Sequence, residues 1–63
     1  MAAPPDTNID SLIEYAAAQS RKGNFEEVVA AAGRLRALGR MGDDKARLYG
    51  LIYTGHVLAR EVN

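Results

Sequence analysis

Few side chains in these 63 residues could do chemistry. His56 is the single histidine and there is no cysteine, so the nitrogen and thiolate ligands of a transition-metal set cannot be assembled. Ser11 and Ser20 have no histidine close in sequence and none of the glycines of a nucleophile elbow. Glu26-Glu27 and Asp43-Asp44 have the form of carboxylate pairs that could hold a cation or move a proton. Each pair falls where a helix is expected to begin, however, and there negative charge is explained by the helix macrodipole. Arg34, Arg36 and Arg40 could grip phosphate or an acidic side chain, but in the last turns of a helix they too fit the dipole. The glycines never assemble into a phosphate-cradling loop. No catalytic residue, metal or cofactor is expected, and the chain is not expected to be an enzyme.

One constellation is left. Tyr49, Tyr53, His56 and Val57 recur at helical spacing. Two tyrosines at i and i+4 are often core, but phenols and an imidazole carry polar tips that favour interfaces over sealed interiors. The chemistry open to such a face is recognition of another molecule.

Three helices are needed to position these residues. Residues 1–7, with Pro4 and Pro5, should form an extended lead-in, because proline restricts itself and its predecessor. The rest, 8–63, reads as a single three-helix domain. The first helix should run from about Asn8 to Lys22, with Ile9, Leu12, Ile13, Ala16, Ala17 and Ser20 on one stripe. Asp6, Thr7 and Asn8 are candidate N-caps, Thr7 with Asp10 forming a capping box, and Gly23 suits a left-handed exit. The second helix should follow at once. Asn24 caps it and Glu27 reaches back, with Val28, Ala31, Ala32, Leu35 and Leu38 as the seam. Gly33 in mid-helix costs about 1 kcal/mol relative to alanine and would be explained by a close helix approach.

The third helix should begin near Asp43 or Asp44 and end near Glu61. Leu48, Leu51, Ile52, Gly55, Leu58, Ala59 and Val62 share one face; Tyr49, Tyr53, His56 and Val57 mark a second. A helix apolar over more than half its circumference is either fully buried or touches two things. Two companions cover only part of a third helix, so the tyrosine face is expected to meet another molecule. Short loops imply antiparallel neighbours.

Bulk properties restrict the partner. Hydrophobic residues reach 48%, but eleven of them are alanine, which buries little area. So small a domain stands near the lower limit of unaided folding, and self-association or a permanent partner is expected. Eight basic residues balance eight acidic ones, which gives no reason to expect nucleic acid or an anionic membrane. A helical nucleic-acid-binding protein, reading DNA with the third helix or the arginines, is the alternative. The opening Met1-Ala2-Ala3-Pro4-Pro5 lacks the basic and apolar segments of a signal peptide, and no apolar run approaches the roughly 20 residues of a membrane span. A cytoplasmic location is expected.

Lys22-Gly23-Asn24-Phe25-Glu26-Glu27 resembles the turn between helices A and B of the tetratricopeptide repeat family. A period of 34 residues shows in part: Leu12 maps to Ala46, Tyr15 to Tyr49, Ala16 to Gly50 and Gln19 to Tyr53. Ala46-x-x-Tyr49-Gly50-x-x-Tyr53 is similar to the family's helix A signature, with a small residue where helix B must approach closely. Val28, Ala32, Leu35 and Arg40 depart from its helix B pattern. The resemblance covers about residues 9–60, one repeat and half of the next. It implies an all-α protein-binding scaffold: an adaptor, regulator, chaperone-like subunit or inhibitor. On this reading Tyr49, Tyr53, His56 and Val57 anchor the partner, and Arg34, Arg36 and Arg40 steer acidic surfaces toward it.

Overall fold

The computed structural model describes the backbone of residues 8–62 and the side chains of residues 8–60. The extended lead-in expected over 1–7, with Thr7 as half of a capping box, lies outside the described residues.

The described residues are all-α, with three helices in the order α1 (Ile9–Lys22), α2 (Phe25–Arg40) and α3 (Asp44–Val62). Asn8 is extended and caps α1, its Oδ1 accepting the Ser11 amide at 3.0 Å. Asp10 opens α1 and Arg21 and Lys22 close it, the order that the macrodipole favours. Gly23 then turns left-handed at φ 79°, a conformation that costs glycine no Cβ clash. The Asn24 amide closes the turn on the Gln19 carbonyl at 2.9 Å, and α2 begins one residue later.

The capping box expected at α2 is absent. Asn24 makes no side-chain cap; its Nδ2 donates to Gln19 Oε1 at 2.8 Å. Glu27 instead accepts from the Tyr15 hydroxyl, across the turn. The tight reversal brings Tyr15 and Gln19 against the start of α2, and a phenol donor to a carboxylate is a strong, charge-assisted competitor. At α3 the cap is regular: Asp43 Oδ1 accepts the Ala46 amide at 2.9 Å.

α2 lies between its neighbours and packs against both, while α1 and α3 touch each other little. The result is flat, 32 × 26 × 13 Å along its principal axes. Among the described residues α3 therefore has α2 as its main companion and reaches α1 at few points, the Lys45–Asp10 pair among them.

Two glycines set the α2–α3 distance. A Cβ on Gly39 would come within 2.6 Å of the Arg47 Cα, and one on Gly50 within 2.9 Å of the Arg36 backbone nitrogen. The close approach thus falls at Gly39 and Gly50, not at Gly33, where a Cβ would meet only the Arg36 guanidinium at 4.0 Å. Arg47 Nη2 donates to the Gly39 carbonyl at 3.3 Å and Arg36 Nη1 to Thr54 Oγ1 at 3.0 Å, fastening the crossing from both helices. Among the described residues the core consists of Leu12, Ala16, Val28, Ala31, Ala32, Leu35, Ala46, Tyr53 and Val57, of which Leu12, Leu35 and Val28 are large and fully enclosed.

Candidate functional site

α3 carries two apolar stripes on opposite sides. Ala46, Gly50, Tyr53 and Val57 recur at i, i+4, i+7 and i+11 and are buried against the hairpin of α1 and α2. Leu48, Leu51, Ile52, Gly55, Leu58 and Ala59 lie about half a helical turn away and are exposed. Leu48, Leu51 and Leu58 keep 55%, 60% and 56% of their surface in water.

The orientation is therefore the reverse of the one expected from the sequence. Tyr53 is 8% exposed and Val57 is buried with it, so neither offers a surface to a second molecule. Tyr49 is half-buried against the same core, and His56 is exposed. The structure does bring the aromatic set together. Tyr49 stacks on Tyr53 at 6.5 Å, and His56 meets the Tyr53 ring edge-on at 5.3 Å. The small residues explain the choice of face: Ala46 and Gly50 let α3 sit close on α2, which the leucine side could not do without pushing the helices apart.

The arginines serve more than one end. Arg36 lies across Gly50 and binds Thr54, which in turn donates to the Gly50 carbonyl at 2.7 Å. Arg34 and Arg40 are exposed on α2. Thr54 stands on the flank of α3 roughly opposite Tyr49 and His56, so Arg36 does not join the aromatic set. Further out, Arg60 covers the Phe25 ring at 4.4 Å, a cation–π contact that holds the last turns of α3 against the start of α2. Lys45 pairs with Asp10, tying α3 to α1, and that partner pushes the lysine pKa up.

Sequence reasoning missed the outward stripe as a site. Its signal was present, since Leu48, Leu51, Gly55 and Leu58 follow a 3-4-3 spacing, the seam spacing of paired helices. Beside it, Val29 of α2 is 51% exposed, and a shallow apolar groove runs between the helices, floored by Ala32 and Val57 with Arg36 and Thr54 at its wall. The magnitude is large for so small a protein. Fully burying an aliphatic side chain is worth about 1.5–3 kcal/mol. Covering four that are about half exposed would add roughly 3–6 kcal/mol, comparable to the whole stability expected of such a domain, roughly 3–9 kcal/mol.

Among the described residues no group of three or more histidines and carboxylates could hold a metal ion, and no helix is long and apolar enough to cross a membrane. A wide, open depression lined by Tyr15, Gln19, Lys22 and Phe25 lies at the α1–α2 turn, with no enclosed polar group aimed into it. Comparison with protein-family models, with curated proteins and with solved structures finds no match. The tetratricopeptide resemblance thus stands on its own residues.

Proposed function

We propose that this chain is a small helical protein-binding module, an adaptor, regulator, chaperone-like subunit or inhibitor, whose contact surface is the outward stripe of α3. The reading rests on one observation: Leu48, Leu51, Ile52 and Leu58 form a continuous apolar ridge in water, on a helix whose opposite side is already packed. Contiguous apolar patches on small proteins mark interaction sites more often than isolated leucines do. Arg36, Arg40 and Arg47 on the neighbouring surface fit a rim that orients acidic groups. The binding role earlier assigned to Tyr49, Tyr53, His56 and Val57 passes to this ridge, because burial of Tyr53 and Val57 leaves them no free surface.

The test is affinity capture with the immobilised full chain and with Leu51→Glu. Leu51 is exposed, so the substitution should leave helicity intact. Proteins held by the wild type should be lost by the variant. The same proteins retained equally by both would remove the ridge from the reading.

A further inference from the structure

We infer that the ridge of α3 pairs with the same ridge on a second copy of this chain, the two helices running antiparallel about a twofold axis near residue 53. The inference rests on the protein-binding reading above and names the partner.

The spacing of the ridge is self-complementary. Leu48, Leu51, Gly55 and Leu58 occupy alternating seam positions, and in an antiparallel pair each kind of seam position faces the other. With the axis at residue 53, Leu48 faces Leu58 of the second copy, and Leu51 faces Gly55. Large thus meets large at both ends. In the middle, a leucine meets the one ridge position without a side chain, and nothing lies within 4 Å of where a Gly55 Cβ would stand. That open position is the hole for the Leu51 knob. The ridge has no such match when the helices run parallel, where Gly55 would face Gly55 and leave a gap.

Charge agrees with this register. The ridge positions Leu48, Leu51, Gly55 and Leu58 carry no charge, so the register brings no like charges together along the seam. The N-terminal end of each helix also lies beside the C-terminal end of the other, as their dipoles favour. Each chain has a formal charge of zero, so two copies meet without net repulsion. Size sets the strength. α3 has 19 residues, giving a contact strip about 28 Å long and one helix diameter wide. That is smaller than the roughly 800 Å² per partner of a standard interface. The pairing is therefore a weak one, seen only toward the top of an accessible concentration range.

Sedimentation equilibrium of the full chain from about 5 to 500 µM tests it. The mass should rise from 6.8 kDa toward twice that value, and Leu51→Glu should hold the monomer mass at the top of the range, with its helicity unchanged by circular dichroism. A wild-type chain that stays monomeric throughout overturns the inference, and does so without deciding the capture experiment. A dimer that survives Leu51→Glu overturns the face. Orientation is read by disulfide formation, the wild type having no cysteine to interfere. Under mild oxidation a mixture of Leu48→Cys and Leu58→Cys chains should give mainly the mixed 48–58 product. Predominant 48–48 and 58–58 products overturn the antiparallel register.

Discussion

Single residues decide how closely the layer packs. A methyl group on Gly39 would meet the Arg47 backbone, which cannot move without displacing α3. Overpacking of this kind costs about 1–3 kcal/mol, so Gly39→Ala should lower the thermal midpoint by at least about 5 °C. Gly33→Ala, whose Cβ would make only an ordinary contact with the Arg36 guanidinium at 4.0 Å, should raise the midpoint, since helix-interior glycine costs about 1 kcal/mol. A fall at position 33 or a rise at 39 would show that the helices cross elsewhere. Tyr15 gives a pH prediction. The hydrogen bond to Glu27 raises its pKa above the ordinary 10.0, with desolvation and the nearby carboxylate charge adding to it. A raised folded-state pKa means a contribution fully present below about pH 10 and lost as pH climbs through the folded value. Melting curves from pH 8 to 12 should therefore show an alkaline loss in the wild type that exceeds the loss in Tyr15→Phe. Lys45, raised by Asp10, titrates in the same region and is common to both proteins.

At the scale of the element, α3 separates what is readable in a sequence from what is not. Its start was legible from the Asp43-Asp44 pair, just as the ends of α1 were from Asn8 and Gly23, because caps are local chemistry, whereas the cap expected of Asn24 did not form. Which side of α3 faces inward was not legible from apolar content, since both sides are apolar. Bulk favours the leucine side as core. Steric fit favours the other, where Ala46 and Gly50 allow a near approach that Gly39 of α2 reciprocates, and steric fit wins. The small residue was visible in the stretch Ala46-x-x-Tyr49-Gly50-x-x-Tyr53, but the sequence does not say that Gly50 meets Arg36 of α2. Two substitutions separate the stripes. Tyr53→Ala removes a ring that is 8% exposed and should cost about 3–5 kcal/mol, a large share of the stability of so small a domain. Leu51→Ala, on the opposite side, should leave the midpoint of the dilute protein within a few degrees. Urea titrations of both check this, and equal losses would place both residues in one core.

For the whole molecule the deciding quantity is flatness. The arrangement measures 13 Å along its shortest axis, α3 leans mainly on α2, and among the described residues three large side chains are fully enclosed while six large hydrophobic ones are exposed. Its stability should then depend on what covers α3. Any species that binds the folded state alone raises the midpoint by mass action. If the cover is a second copy, the midpoint depends on protein concentration, which a self-sufficient monomer does not show. A tenfold rise above the dissociation constant contributes up to about 1.4 kcal/mol per pairing, shared by two chains. For a domain of this size that is about 3–6 °C. Calorimetry of the wild type at about 50 and 500 µM should show that increment, and Leu51→Glu should melt at one temperature at both concentrations. A wild-type midpoint that does not move would mean that the free chain keeps its leucine ridge in water for a different polypeptide.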